Sequence, residues 1–356
     1  MKKMKFLITL YFTAAVFLLY GAEKYHFFLV SDTHLGAAET YCTDPAAPPR
    51  SRTKKDIHRA DKVMHLYNDV FADIAKKSDK NSFVIEAGDL IEGFTRNKDV
   101  HKKVLSDAIN LMTRHIKTPI YMICGNHEFV GIGGMEAYKE TFLPAAAKLA
   151  GREKFENTNY FMNYGKDLYV FADYFPVPNR FAFLKKVLQE QKTKPRYVFF
   201  IIHAPPMYDW NFGEDAIPLF ELLAEYNGII LAGHNHQNTV TKFEKNGKAV
   251  RQVTVSTSIF DGNIRRNWIT PSSQDLEYFK KSVILKAKRR KVFSFIPVFE
   301  KQWCPFLTEY KKFNGTGYAK FDISDDGVSV SFQSADLTRK PVTLQLLKNN
   351  HKQLTK

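Results

Sequence analysis

The chain has 356 residues, with 52 lysines and arginines, 37 acidic residues and only three cysteines. This length can bury a large core, and so few cysteines exclude a disulfide scaffold and a cysteine-based zinc site. The formal charge of +15 favours anionic partners such as phosphate esters, nucleic acid or lipid head groups, without selecting among them.

Residues 1–22 differ in composition from the rest of the chain. Three lysines precede an apolar run, and the small residues Gly21 and Ala22 follow it, which is the pattern of a secretory signal peptide. The alternative is an uncleaved membrane anchor, but the apolar run is shorter than the ~20 residues that span a bilayer comfortably. We therefore expect an exported protein, periplasmic or extracellular, with no stable membrane anchor after cleavage. Cleavage would lower the formal charge to +12, because the segment carries three lysines and no acidic residue.

The first half of the chain alternates short apolar runs with segments of helical periodicity. Strands are predicted at residues 25–30, 82–87 and 119–124. Each strand ends in side chains that can bind metal or move protons: Asp32 and His34, then Asp89, then Asn126 and His127. Ligands of open α/β sheets bind beyond such carboxyl ends, so these side chains are candidates for one common site.

The second half repeats this pattern. A hairpin is predicted at residues 160–172, and apolar strands at 197–202 and 229–232 are followed by His203 and by His234 and His236. Asn246 and Gly247 give a strong turn signal between two further strands. Residues 259–313 are interpreted as an insertion before a last hairpin, within a domain that spans residues 23–336. The basic tail, residues 337–356, is expected to fray from Thr338.

Side chains that can bind metal thus follow five predicted strands. Separately each has a plain explanation, since a Gly-Asp pair is a common turn and a lone histidine is usually a core or surface residue. Their recurrence at strand ends favours a metal site instead. Carboxylate, amide oxygen and imidazole without thiolate suit Mn, Fe or Zn. Seven ligand groups exceed one tetrahedral site, so we expect two divalent ions bridged by one carboxylate, an arrangement that activates water and binds phosphoryl oxygens.

These motifs resemble those of the calcineurin-like metallophosphoesterase superfamily. In chain order they are Asp-x-His, Gly-Asp, Gly-Asn-His-Glu, His and Gly-His-x-His, between about Phe27 and His236. The resemblance implies a mixed α/β fold in which two packed mixed β-sheets are flanked by helices, an αββα sandwich with a dimetal site at the strand ends. The ligands that it implies are Asp32, His34 and His236 for the first metal, Asp89 as the bridge, and Asn126, His203 and His234 for the second.

The same resemblance gives His127 a catalytic role beside Asp89, as the group that protonates the leaving oxygen. Glu128 occupies a position where aspartate is common, and we expect it to orient His127 from behind the metal ligands. The function implied is an exported phosphoesterase that hydrolyses phosphomonoesters or phosphodiesters by in-line attack of a dimetal-bound hydroxide. The arginine expected after Asp89 in Ser/Thr protein phosphatases is absent, and so is the tyrosine ligand of purple acid phosphatases.

The alternative function is a noncatalytic module on the same fold, which would hold anionic polymer or lipid on a basic surface that includes residues 286–291. Nucleic acid fits the charge of the chain, but no motif indicates it specifically. Candidate substrate contacts lie in the loops that follow the strands, namely Arg50, Arg52, Tyr208, Trp210 and Arg265. Cys42 and Cys304 could pair in an oxidising compartment, and the sequence leaves their pairing open.

Overall fold

The structure is a computed structural model that describes residues 24–36, 54–174, 180–206, 216–256 and 269–348. The strands are β1 (Tyr25–Val30), β2 (Ser82–Ala87), β3 (Ile120–Ile123), β4 (Tyr160–Tyr164), β5 (Asp167–Ala172), β6 (Val198–Ile202), β7 (Gly228–Ala232), β8 (Asn238–Lys245), β9 (Lys248–Thr254), β10 (Thr270–Pro271), β11 (Leu307–Asn314), β12 (Gly317–Ser324), β13 (Gly327–Ser334) and β14 (Val342–Lys348). The α-helices are α1 (Lys54–Lys77), α2 (Lys98–His115), α3 (Gly134–Ala137), α4 (Leu143–Leu149), α5 (Arg180–Gln189), α6 (Ala216–Ala224), α7 (Leu276–Arg289) and α8 (Phe295–Val298).

The strands form two mixed sheets. One has the order β14-β13-β12-β1-β2-β3, and the other β10-β11-β8-β9-β7-β6-β5-β4. In the first sheet β1, β2 and β3 run parallel, and β12 lies antiparallel beside β1. In the second sheet β5, β6, β7 and β9 run parallel. The strands that precede the candidate site residues are therefore the parallel strands of both sheets.

The two sheets pack face to face through aromatic side chains. Phe27 on β1 stacks on Phe321 of the neighbouring strand, with ring centroids 4.6 Å apart and planes 5° apart. Across the sandwich its ring meets Phe199 edge-on, at 5.4 Å and 84°. Phe199 in turn stacks on Tyr169 at 4.6 Å. Stacking along each sheet and edge-to-face contact between the sheets are the favourable geometries for aromatic pairs.

Helices cover both outer faces. The six-stranded sheet packs Phe28 and Val84 against side chains of α1 and α2, such as Phe71 and Leu105. The outer face of the eight-stranded sheet packs against α5, α6 and α7, where Phe200 joins the core layer. Four layers in the order helix, sheet, sheet, helix confirm the predicted αββα sandwich. Among the described helices, none combines the length and the apolar character needed to cross a bilayer.

The C-terminal part of the chain differs from the sequence-based expectation. The tail was expected to fray from Thr338, but Val342–Lys348 forms β14, which pairs antiparallel with β13. Residues 259–313, interpreted as an insertion, contain all of β11 except its last residue, and β11 pairs antiparallel with β8 and extends the eight-stranded sheet. The predicted signal peptide and Cys42 lie outside the described residues.

Candidate metal centre

Tight turns at the strand ends hold the predicted ligands in a backbone conformation that is rare for residues other than glycine. Five of the seven have positive φ angles between 49° and 65°: Asp32, His34, Asp89, His234 and His236. Such left-handed residues cost about 1–3 kcal/mol each and persist where the surrounding structure enforces them, often at functional sites. The clustering of this strain at the candidate ligands separates them from ordinary turn residues.

Asp89 lies at the centre of the site. Its Oδ2 is 3.2 Å from Nε2 of His203 and 3.7 Å from Nε2 of His34. Its Oδ1 accepts a hydrogen bond from the backbone N–H of His127 at 2.8 Å. One carboxylate therefore reaches the histidines that follow β1 in one sheet and β6 in the other, as a bridging ligand must.

The first group of predicted ligands converges around Asp32. Nε2 of His34 and Nε2 of His236 are 3.2 Å apart, and Nε2 of His236 lies 3.5 Å from Oδ1 of Asp32. Both carboxylate oxygens of Asp32 also accept the backbone N–H of His234, each at 2.9 Å. Asp32, His34, Asp89 and His236 each offer a ligand atom, and these four atoms lie within 4.8 Å of one another.

The second group converges on the other side of Asp89. Nδ1 of His234 is 2.9 Å from Oδ1 of Asn126 and 3.2 Å from Nε2 of His203. His203 donates its other ring nitrogen, Nδ1, to the carbonyl oxygen of Ala87 at 2.8 Å. That hydrogen bond fixes the ring with Nε2 facing Asp89, which is how metal-binding histidines are usually oriented.

Glu92 contacts two histidines of the site, one through its main chain and one through its side chain. Its backbone carbonyl accepts a hydrogen bond from Nδ1 of His127 at 2.7 Å, which turns Nε2 of His127 toward Oδ2 of Asp89, 3.9 Å away. Its carboxylate oxygen Oε2 lies 2.9 Å from Nδ1 of His34. Glu92 is itself buried.

Glu128 was expected to orient His127, but its carboxylate contacts backbone groups instead. Oε2 accepts the N–H of Gly125 at 2.5 Å and that of Asp89 at 3.0 Å, and Oε1 accepts the N–H of Ile91 at 3.3 Å. Glu128 therefore ties the loop after β3 to the loop after β2. It positions the backbone of the ligands, while the carbonyl of Glu92 fixes the ring of His127.

Two glycines let the loops approach the carboxylates closely. A Cβ atom at Gly125 would collide with the side chain of Asp89, and one at Gly233 would collide with the side chains of Ser31 and Asp32. The glycines of the Gly-Asn-His-Glu and Gly-His-x-His motifs are thus required by space around the carboxylates.

The electrostatic environment keeps the two aspartates ionised. Burial opposes a charge on Asp89, but the nearby histidines, His203 foremost, hold its pKa well below the usual value. Burial likewise opposes a charge on Asp32, and His236 and His34 still lower its pKa. Burial and the charge of Asp89 raise the pKa of Glu128 to about 7.

The histidines divide into charged and neutral rings. Burial disfavours a charged ring at His203, yet the Asp89 carboxylate outweighs it and raises the pKa of His203 to about 9. Burial, followed by the charge of His203, lowers the pKa of His234 to about 4. Burial also lowers the pKa of His236 to about 4. Near neutral pH, both histidines of the Gly-His-x-His motif therefore have a lone pair to offer.

The donor set fits divalent cations. In each group two imidazole nitrogens converge to 3.2 Å beside an ionised carboxylate. Metal binding at the second group would replace the proton that His203 carries near neutral pH. Oxygen and imidazole donors without thiolate suit Mn, Fe or Zn. The residues present thus fit two ions that share Asp89.

Two aromatic rings border the site and carry no signal in the sequence. The ring of Phe94 lies 5.5 Å from that of His127, and the ring of Tyr174 lies 5.6 Å from His203 and 5.9 Å from His234. The predicted substrate contacts, Arg50, Arg52, Tyr208, Trp210 and Arg265, lie outside the described residues, so they stay predictions.

Two ionised carboxylates, each flanked by converging imidazoles at the strand ends of an αββα sandwich, define a metal-dependent hydrolase. The calcineurin-like phosphoesterase profile matches residues 25–238, a range that contains every predicted ligand, and the chain belongs to this family. It is therefore a phosphoester hydrolase by class. No curated protein sequence matches the chain.

Three solved structures share the fold at low sequence identity. GAP50, the anchor in the inner membrane complex of Plasmodium, is 12% identical with a TM-score of 0.51, and the match covers 92% of this chain and 89% of that one. Purple acid phosphatase PPD1 from seeds of yellow lupin, Lupinus luteus, is 12% identical with a TM-score of 0.50 over 90% of this chain. The match spans about half the length of the lupin chain, 53%. PhoD is 11% identical with a TM-score of 0.50, covering 90% of this chain and 68% of that one.

Proposed function

We propose that the protein is an exported, metal-dependent phosphoesterase that hydrolyses phosphomonoesters or phosphodiesters by in-line attack of water at phosphorus. The observation that carries the proposal is the central position of Asp89, whose Oδ2 lies within 3.7 Å of Nε2 of both His203 and His34. When bound, two divalent ions supply a nucleophilic water near neutral pH and neutralise charge on the phosphoryl group.

We assign each of the two groups of ligands around Asp89 to one metal ion. The first ion would be held by Asp32, His34 and His236, the second by Asn126, His203 and His234, and both by Asp89. The N–H bonds that Glu128 accepts from Gly125 and Asp89 hold the two loops together. This arrangement places the ligands before substrate arrives, which limits the reorganisation that catalysis requires.

His127 is the proton donor for the leaving oxygen in this proposal. Its Nδ1 donates a hydrogen bond to the carbonyl of Glu92, so Nε2 is the atom that delivers the proton. The carboxylate oxygen Oδ2 of Asp89 lies 3.9 Å from this atom. Donation to the leaving oxygen avoids expulsion of an unstabilised alkoxide, an effect worth about 10²–10⁴ in rate.

Metal analysis combined with hydrolysis of an aryl phosphomonoester and an aryl phosphodiester tests the proposal. We expect about two ions per chain, by the ligand count, and cleavage that a chelator abolishes and added divalent ion restores. Asp89→Asn should lose both metal and activity, whereas His127→Gln should keep metal and lose less activity on these aryl esters than on alkyl esters, whose leaving oxygen needs the proton. Asp107→Asn, on an exposed part of α2, and His115→Gln, whose ring contacts Asn68, are the matched controls and should behave as wild type.

A noncatalytic module is the alternative on the same fold, and GAP50, whose fold is similar, is an anchor protein. The present chain keeps two ionised carboxylates, two convergent histidine groups and an oriented His127, a set that anion binding does not require. Protein that binds metal but cleaves neither ester with Mn, Fe or Zn would support the alternative and contradict the enzyme proposal.

Export and substrate contacts are tested separately. Expression in a host with a secretory pathway should yield protein outside the cytoplasm that begins near residue 23, and intact residues 1–22 in the membrane fraction would show an uncleaved anchor instead. Alanine at Arg50, Arg52, Tyr208, Trp210 or Arg265 should change the ratio of monoester to diester cleavage. An unchanged ratio in all five variants would remove these residues from the substrate site.

A further inference from the structure

The outer face of α7 and the turn that follows it combine exposed apolar side chains with clustered positive charge. Among the described residues, five large hydrophobic side chains are conspicuously exposed, and three of them belong to this segment: Tyr278 at 53%, Leu285 at 54% and Phe293 at 61%. Residues 276–293 carry seven lysines and arginines and a single acidic residue, Glu277. We call Tyr278, Lys281, Leu285, Lys288, Arg289 and Phe293 the α7 face.

The helical spacing separates this face from the buried one. Phe279, Val283 and Ala287 are buried against the eight-stranded sheet at intervals of four residues. Tyr278 and Leu285 are seven residues apart, and Lys281 and Lys288 lie three residues after each of them. Side chains at these intervals share one side of a helix, so Leu285 projects from the surface with cations beside it.

The turn after α7 is well fixed, so Phe293 is held in place. The backbone N–H of Lys291 donates to the carbonyl of Lys288 at 3.0 Å, and that of Val292 donates to Ala287 at 2.9 Å. Phe295, two residues further on, is buried in the core layer. Phe293 is therefore exposed on an anchored turn between two points that are tied to the fold.

The cations by themselves have a structural explanation, because positive charge in the last turn of a helix stabilises its C-terminus. That explanation covers Lys288 and Arg289 but not the exposed apolar side chains. The segment itself supplies one acidic residue against seven cations, and that residue, Glu277, pairs with Lys280 at 3.1 Å. A cationic surface with projecting Leu, Tyr and Phe side chains matches the interface of an anionic bilayer, where apolar groups enter the head-group boundary and cations meet phosphate.

We propose that the α7 face binds reversibly to the surface of an anionic lipid bilayer. Leu285 is the residue that favours a bilayer over nucleic acid, because an aliphatic side chain gains from acyl chains but offers no ring on which a base can stack. The binding is peripheral, needs no membrane-spanning helix and does not depend on the catalytic residues.

Co-sedimentation with lipid vesicles tests the proposal. The protein is prepared without residues 1–22, so that this apolar segment does not contribute to binding. The probes are vesicles of phosphatidylcholine alone and vesicles that also contain phosphatidylglycerol. We expect binding only to the anionic vesicles, weakened by salt because exposed charges are screened. Lys288→Gln with Arg289→Gln should weaken binding about fivefold for each charge removed. Leu285→Ser with Phe293→Ser should weaken it at least tenfold, since two apolar anchors are lost.

Matched controls distinguish binding by the α7 face from nonspecific electrostatic or hydrophobic binding elsewhere on the surface. Lys103→Gln with Lys186→Gln removes two lysines whose side chains are 72% and 74% exposed on other helices, and Leu337→Ser removes another exposed apolar side chain. Both controls should bind as wild type, and Asp89→Asn should also bind. Equal losses in the controls, equal binding to neutral vesicles, or binding of oligonucleotide but not of vesicles would overturn the proposal. Circular dichroism of each variant verifies that the fold is intact.

Discussion

The carboxylate oxygen Oε2 of Glu92 lies 2.9 Å from Nδ1 of His34. The backbone carbonyl of the same residue accepts a hydrogen bond from Nδ1 of His127. One residue thus contacts a proposed metal ligand through its side chain and orients the proposed proton donor through its main chain. The two roles can be separated by mutation, because a side-chain substitution leaves the carbonyl in place.

Glu92→Gln should lower metal affinity by about 10–100-fold, because the charged carboxylate that contacts the His34 ring is lost. At saturating metal the turnover rate should fall much less, since the carbonyl still holds His127. Metal titration followed by kinetics with excess metal measures both quantities. A large loss of turnover at full metal occupancy would show instead that the carboxylate acts in the chemical step.

His127→Gln should show the opposite pattern, with metal content unchanged and turnover lowered by about 10²–10⁴. The loss should depend on the leaving group, because a nitrophenolate departs without a proton and an alkoxide does not. Rates for nitrophenyl and alkyl phosphoesters, each compared with the His115→Gln control, measure this dependence. The same loss for both leaving groups would contradict proton donation by His127.

Much of this site was predictable because its ligands directly follow apolar strands. β1 and β2 have the predicted bounds, and Asp32 and Asp89 come two residues after them. The contact between Glu92 and His34 was not predictable, because it depends on the bridge that joins the turns at Leu35 and Ile91. Such pairing between loops from different strands has no periodic signal in the sequence.

The sequence of β14 has the alternating pattern of a strand, but the lysines around it made the segment resemble a basic tail. Val342, Leu344 and Leu346 alternate with polar residues as a strand requires, but lysines around them suggested a frayed tail. The alternation is also disturbed by Leu347, at the register shift where β14 passes Val328. For β11 the missing information was the partner, because β8 lies about 70 residues earlier in the chain.

Gly125→Ala should destabilise the protein by about 1–3 kcal/mol, because the added methyl group collides with the side chain of Asp89 and must push it away. The same displacement should weaken metal binding. Gly247→Ala is the control, since nothing lies within 4 Å of its added methyl group and only its φ of +74° is unfavourable. Urea unfolding and metal titration of both variants compare them, and full metal affinity in Gly125→Ala would contradict a close approach at this glycine.

His101 provides a pH dependence of stability outside the metal ligands. It is buried beneath the loop after β3, where Nε2 donates to the carbonyl of Glu128 at 3.0 Å and Nδ1 accepts the hydroxyl of Thr95 at 2.8 Å. Burial lowers the pKa of His101 below its ordinary value of 6.5. Below pH 6.5, His101 therefore binds a proton in the unfolded chain but stays neutral in the folded chain. As a result, the free energy of unfolding falls as the pH falls toward the lower pKa of the folded state.

His101→Gln should remove this contribution, so the stability advantage of wild type over the variant should shrink as the pH falls below 6.5, by at most about 1.4 kcal/mol per pH unit. Urea unfolding with excess chelator between pH 7.5 and 5.5 measures the difference without proton release on metal binding. Val104→Ala, a buried position on the same helix without a titrating group, should lose stability by an amount that does not change with pH. A constant difference between wild type and His101→Gln over this range would mean that His101 binds its proton equally in both states, and that its buried hydrogen bonds tolerate a charged ring.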